Sequence, residues 1–324
     1  MADGNRLRTI LVLLGLTLLI YLVYRIGPSL VLSILLQIGW HFPVLIIIHA
    51  LYQGVRSAAL SSCLLRIQLP YVDVLWIRIS GEAVRVLTAT GPLLAEPAKA
   101  WLLRKKGLEI QEAFASILGE LILYNLTAAI LSIVGFIYLV RQFPLQPSIL
   151  VLTWGGVLLM GIFLVVALIA FSCRLYVFHF VFRQLSRLSF LKKSITPNLE
   201  RIRQMEDLMF VLVQEYPARF WLIIALELAA QGLLLLELYW ILAVLSFVPP
   251  LIYPLLIETA SKFISLTSLL VPMQLGVAEG AYAYIVSLLG FPAAVGLTLS
   301  FIRRLRSFLV TAVGMLWLWG IRQR

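Results

Sequence analysis

Six stretches of this chain are long and apolar enough to cross a lipid bilayer: roughly residues 9–26, 43–64, 112–140, 148–172, 218–247 and 293–320. A spanning helix needs about 20 such residues. Its backbone polar groups must be satisfied within the segment, because the hydrocarbon offers no water to bind them. Nothing between these runs is long enough to build a separate soluble domain. Of the 324 residues, 62% are hydrophobic and only 13% charged, whereas soluble domains carry about a quarter charged residues. The chain reads as all-α, a polytopic integral membrane protein forming one membrane domain over residues 1–324.

Two further apolar runs, about 72–90 and 251–271, stop at Pro/Gly breaks: Gly91-Pro92 in the first case, Pro272 and Gly276 in the second. Short apolar pieces follow at 97–104 and 280–289, and the stretch 29–38 is too short to span and reads as interfacial. Across these breaks the sequence repeats itself. Ala95-Glu96-Pro97-Ala98-Lys99-Ala100 runs on to Gly107, and Ala278-Glu279-Gly280-Ala281-Tyr282-Ala283 runs on to Gly290. Each glutamate precedes its glycine by 11 residues, and the two copies stand 183 residues apart. One repeat half covers about 43–140 and the other about 218–320, joined through a polar connector at about 174–217.

Charge indicates how these runs are threaded. If each motif is the tip of a re-entrant, broken-helix hairpin, one face of the membrane holds 16 of the 26 Lys and Arg and the other only Arg25 and Arg141. The rich face carries both termini, Arg104-Lys105-Lys106 and the connector, and the positive-inside rule makes it cytoplasmic. Were 72–90 to cross fully, Arg104-Lys105-Lys106 would lie outside, against that rule. Three full crossings separate the hairpins, so they enter from opposite faces. That is an inverted repeat, the arrangement in which many transporters place a central binding site. The expected layout is six full spans with two re-entrant hairpins.

The net charge of +11 is the ordinary consequence of orienting membrane helices and does not indicate nucleic acid. Cys63 and Cys173 sit in or beside apolar runs, and His41, His49 and His179 form no ligand pattern. No metal, cofactor or disulfide framework is implied. The apolar run after Arg6-Leu7-Arg8 lacks a small-residue cleavage site and runs into Arg25, as a retained helix would. Nucleophile-elbow, phosphate-loop and zincin signatures are absent, so no enzyme activity is expected.

Charged residues inside the apolar runs are the candidates for function, because each costs about 2.5–3.5 kcal/mol at a helix centre. Glu96 and Glu279 would stand where a break turns into a half-helix, with Pro97 suited to a first helical position. Two uses fit them: capping free N–H groups, or gating the hairpins and taking part in headgroup or proton binding. Arg78, Glu82 and Arg85 share one helix face, as do Glu258 and Lys262. These are either internal neutralisation or a cationic lining for an anionic headgroup, which arginine binds in bidentate fashion. Arg303 is the repeat counterpart of Glu120, and an ion pair between them would bridge the halves. Arg304 and Arg306 pair elsewhere or snorkel. Asn125, Thr127, Gln231 and Ser261 are expected to hydrogen-bond between helices, and Trp40, Trp317 and Trp319 to anchor at the interface.

The segment Gly91-Pro92-Leu93-Leu94-Ala95-Glu96-Pro97-Ala98-Lys99-Ala100-Trp101-Leu102-Leu103 resembles the "GGxxGEPxRAxLL" segment of the lysylphosphatidylglycerol synthetase membrane-domain family, often called flippase-like. Val271-Pro272-Met273-Gln274-Leu275-Gly276-Val277-Ala278-Glu279-Gly280 resembles that family's "PGGLGxxEG" segment. The resemblance implies a lipid-translocating domain of the bacterial inner membrane, here without the aminoacyl-transferase domain. Gly91, Glu96, Pro97, Gly276, Glu279 and Gly280 would form the hairpin tips. Arg78, Glu82, Arg85, Lys99, Glu120, Glu258, Lys262 and Arg303 would line the headgroup cavity. The implied partners are the bilayer, a lipid or lipid-linked substrate and a lipid-biosynthetic enzyme, and a homo-oligomer is compatible. The sequence departs from the pattern at Pro92–Ala95, at Lys99 in place of arginine and at Met273-Gln274, which bears on the identity of the lipid. Two other roles fit the residues: a non-catalytic partner of a lipid-modifying enzyme, or a membrane transferase using the cavity carboxylates.

Overall fold

The computed structural model describes residues 38–88, 91–188, 192–193, 196–245, 249–267 and 277–320, with Ser29 and Leu36. The expected first span at 9–26, most of 29–38 and Gly276 lie outside the described residues. Among those described there are eleven α-helices and no strand. They are α1 (His41–Cys63), α2 (Tyr71–Leu87), α3 (Gly91–Lys105), α4 (Ile110–Gln142), α5 (Pro147–Cys173) and α6 (Val177–Leu185), followed by α7 (Leu199–Gln214), α8 (Pro217–Val244), α9 (Ile252–Thr267), α10 (Val277–Leu288) and α11 (Ala293–Gly320).

Helices α1, α4, α5 and α8 are long and apolar enough to cross a membrane, which makes this a multi-pass membrane protein. Their bounds lie within a few residues of the spans read from sequence. Helix α11 has the length of a span, 28 residues, but carries Arg303, Arg304 and Arg306. Helices α2 and α3 have 17 and 15 residues, short of the usual spanning length of about 20.

The second-half helices recur at first-half positions. Helix α3 ends at Lys105 and α10 at Leu288; α4 begins at Ile110 and α11 at Ala293, each 183 residues on. The glycines between them close both helices alike. Gly107 (φ 101°) donates to Arg104 O at 3.0 Å and Leu108 to Leu103 O at 3.4 Å. Gly290 (φ 89°) donates to Ser287 O at 3.0 Å and Phe291 to Val286 O at 3.2 Å. This is the Schellman pattern, which places its C′ residue in left-handed backbone and so favours glycine. An added Cβ would meet nothing within 4 Å at either glycine. Gly107→Ala and Gly290→Ala should therefore each lose about 1 kcal/mol through backbone strain alone, read as a lowered melting temperature in detergent.

The chain forms two compact units. The first takes Met1–Gln53, Leu75–Ala98 and Leu233–Arg324; the second takes Gly54–Val74 and Lys99–Gly232. Each draws on residues from both 43–140 and 218–320, and α1, α2, α3 and α8 contribute to both units. In the first unit, α10 and α11 approach until a Cβ on Gly296 would stand 2.3 Å from Tyr282 O. Gly314 meets α2 in the same way, 2.7 Å from Ile79 O, and Trp76 stacks on Trp317 at 5.6 Å. Trp317, expected at the interface, thus packs between helices; Trp40 is 91% exposed, as an anchor would be. Gly296→Val forces backbone apart and should destabilise by about 1–3 kcal/mol, seen as a lower melting temperature with Gly296→Ala intermediate.

The second unit is built around α4. Ala59 and Cys63 of α1, Leu123 and Leu126 of α4, Ala167 of α5, Leu212 of α7 and Ile223 of α8 form its core. Helix α5 buries only Thr153, Gly156 and Ala167, small residues that allow close approach. Its remaining apolar surface faces outward, as a lipid-contacting span requires. The orphan carbonyls at the end of α1 find side chains: Ser116 donates to Cys63 O at 3.1 Å and Arg219 to Leu64 O at 3.3 Å. The polar connector is itself helical. Helix α7 packs Met205 and Met209 against Ala115 of α4, with Phe178 of α6 on the same cluster.

Candidate functional site

Polar side chains of the first unit join into one buried network across six helices. Arg78 of α2 donates from Nε to Gln53 Oε1 at 3.0 Å, and Gln53 meets His49 Nε2 at 3.1 Å, one turn away on α1. His49 Nδ1 lies 3.7 Å from Glu237 of α8. Glu237 accepts from Arg306 of α11 and lies 3.8 Å from Arg303 Nε. Arg303 also donates to Glu258 of α9 at 3.0 Å and to the Tyr282 hydroxyl of α10 at 2.6 Å. Ser261 shares that hydroxyl at 2.6 Å, and Lys262 Nζ lies 3.9 Å from Glu258.

The spacing of α11 accounts for its three arginines. Positions 303 and 306 are one helical turn apart and face the same carboxylate, whereas position 304 is turned to α10. There Arg304 pairs with Glu279 at 2.6 Å. Glu279 sits in the first turn of α10, where the helix dipole favours a carboxylate. Gly280 beside it is exposed.

The first motif differs. Helix α3 starts at Gly91, so Pro97 stands inside the helix and not at its first position. Gly91-Pro92 takes up the helix start instead, and Pro97 has no N–H to offer the ladder. Glu96 is consequently an interior residue of α3, partly buried in the first unit, and not an N-cap. Lys99, one turn on, is buried in the second unit. Glu82 and Arg85 pair at 2.5 Å, with Arg85 half exposed, while Arg78 on the same helix is buried.

The second unit holds a separate cluster. Arg56 of α1 donates to Glu120 of α4 at 2.6 Å, lies 3.3 Å from Glu227 of α8, and stacks over the Tyr124 ring at 3.6 Å. Glu120 and Arg303, the proposed bridge, each have partners within their own unit: Glu120 takes Arg56, and Arg303 takes Glu258, Glu237 and Tyr282. Asn125 and Thr127 bond carbonyls of their own helix, Leu121 O and Tyr124 O, a local use open to short polar side chains. Ser261 does join two helices. No group of three or more His, Cys, Asp and Glu able to hold a metal occurs among the described residues.

A family model described as the lysylphosphatidylglycerol synthase TM region matches residues 8–314. The chain belongs to that family. The match takes in both clusters, both breaks and both Schellman glycines, and sets the protein among membrane domains of lipid metabolism. No curated protein and no solved structure matches the chain. Within this family member, His49, Gln53 and Tyr282 are network residues that sequence reasoning did not single out as a site. His49 and Gln53 stand four residues apart on one helix face, the one signal they offer.

Proposed function

We propose that this chain is a translocator that moves an anionic lipid, or a lipid-linked intermediate with an anionic headgroup, between the leaflets of a bacterial inner membrane. The observation that carries the reading is the joined network of the first unit. Its contacts connect Arg78, Lys262, Arg303 and Arg306 with Glu237 and Glu258. Charge held within apolar helices marks a ligand path more often than a structural need. Three arginines and a lysine gathered there suit a phosphate, which arginine binds through a planar fork.

The short helix pairs α2–α3 and α9–α10 act as re-entrant hairpins in an inverted repeat. Helices α4, α5 and α8 cross between them, an odd number, so the hairpins open to opposite faces. A headgroup then meets the network from either side while its acyl chains stay in the bilayer. Helices α6 and α7, with their basic residues, lie on the cytoplasmic face. Glu279 and Arg304 latch the second hairpin to α11, whereas Glu96, 183 residues earlier, stands inside α3 of the first. No catalytic role is assigned to the carboxylates.

Lipid analysis of cells lacking the protein tests this reading. A precursor retained in the cytoplasmic leaflet is the expected result. A product that is missing altogether would indicate an enzyme, and loss of a second enzyme's activity would indicate a membrane partner. In the same cells, a Glu96→Gln/Glu279→Gln protein that restores the normal lipid distribution in full would reduce the two glutamates to structural roles.

A further inference from the structure

From Arg174 to Leu199 the chain contains five Lys and Arg and no Asp or Glu. Helix α6 lies at the start of this stretch, and it buries no residue. Six of its nine residues are apolar, and Phe180, Val181, Phe182 and Leu185 are exposed. In water such a face would invite aggregation. Its position removes that hazard. Helix α5 is a membrane span that ends at Cys173, and only Arg174, Leu175 and Tyr176 intervene. Three residues reach at most about 10 Å, so α6 starts within the headgroup zone of the leaflet that α5 has just crossed.

The helix is also fixed in place. Arg174 closes α5 in left-handed backbone (φ 50°) and donates from Nε to Gln214 at 2.5 Å. Both carboxylate oxygens of Glu206 on α7 accept the first free N–H groups of α6, from Phe178 at 2.7 Å and His179 at 2.9 Å. A carboxylate at a helix N-terminus satisfies donors that the helix cannot. Burial pushes the Glu206 carboxyl above its usual range, against the pull of those two donors. The Tyr176 hydroxyl donates to Asp207 at 2.7 Å, and Arg203 lies over the Tyr176 ring at 5.1 Å. The acidic groups at this junction, Glu206 and Asp207 of α7, are taken up by the α6 N–H groups and the Tyr176 hydroxyl, while Arg183 is exposed on α6 and Arg187, Lys192 and Lys193 are exposed beyond it.

We infer that α6 is an in-plane membrane-surface helix that binds anionic phospholipid. Phe180, Val181 and Leu185 enter the acyl boundary, and Arg183, Arg187, Lys192 and Lys193 hold phosphate headgroups beside them. An apolar stripe flanked by basic residues is the pattern by which helices lie in the interface, and each such cation adds to attraction for an anionic leaflet. The pre-set cap from Glu206 presents the stripe without an ordering step. This role is independent of lipid translocation: it makes the leaflet's anionic lipid a bound partner whether or not that lipid is the cargo.

The test uses the full chain in nanodiscs of zwitterionic lipid with or without phosphatidylglycerol. Nitroxide is placed at Val181→Cys or Arg183→Cys, which lie on opposite sides of the helix, in a Cys63→Ala/Cys173→Ser background. The expected result is a label at 181 that oxygen reaches and a nickel chelate does not, with the opposite at 183. Retention of phosphatidylglycerol through purification should fall on the order of tenfold or more in an Arg183→Gln/Arg187→Gln/Lys192→Gln/Lys193→Gln protein. Nickel access at 181 would overturn the proposal. So would shielding at 181 that disappears on dilution, which would assign the face to a second copy of the chain. Equal lipid retention by the four-glutamine protein would overturn the anionic-lipid assignment.

Discussion

The Glu237→Ala variant is expected to lose about 3–5 kcal/mol of stability, the usual effect of removing one partner from a buried ion pair. Glu237 is 1% exposed and lies among Arg306, Arg303 and His49. Arg303 keeps Glu258 and Tyr282 when Glu237 is gone, but Arg306 loses the carboxylate to which it donates. Adding Arg306→Met should recover much of the loss, because an apolar side chain of similar length demands no counter-charge. Thermal unfolding of the two singles and the double in detergent supplies the cycle. Equal melting temperatures for Glu237→Ala and the parent would show that the network holds no such pair.

Arg56→Leu should destabilise the second unit to a similar extent, about 3–5 kcal/mol. Here one guanidinium serves two buried carboxylates, Glu120 at 2.6 Å and Glu227 at 3.3 Å, while stacking on Tyr124. Removing it leaves both carboxylates without the cation that lies between them. Arg56→Lys keeps the charge but not the planar fork or the ring contact, and should fall between parent and leucine variant. Unfolding followed by tryptophan fluorescence reads the order, and a lysine variant as stable as the parent would mean that charge alone matters. Neither variant should alter the closure of α3 or α10, because those Schellman caps are made by backbone alone.

Much of this fold was legible because membrane helices declare themselves by length and apolarity. Helices α1, α4, α5 and α8 end within a few residues of the expected spans, since hydrocarbon thickness fixes them more tightly than any local propensity. Gly107 and Gly290 were legible as a spaced pair, and their left-handed backbone explains why glycine stands there. Pro97 was misplaced because Gly91-Pro92, six residues earlier, carries an equally good start signal and wins. Partner choice among the charges was not legible. Glu120 and Arg303 occupy matching repeat positions, but which cation reaches which carboxylate depends on how helices face one another. Within the second unit Arg56 meets Glu120, and within the first Glu258 meets Arg303. His49 and Gln53 escaped notice because a lone imidazole in an apolar helix carries no ligand spacing.

Leaflet exchange in proteoliposomes tests the central claim most directly. Fluorescent anionic and zwitterionic phospholipids would be followed by reductant quenching of the outer leaflet, with the parent chain and with Arg303→Gln. Melting curves would confirm that both proteins are folded. A cationic translocation path predicts that the parent exchanges anionic lipid faster than zwitterionic lipid and that Arg303→Gln loses the preference. A folded parent chain that exchanges neither lipid above the rate of empty vesicles would contradict it.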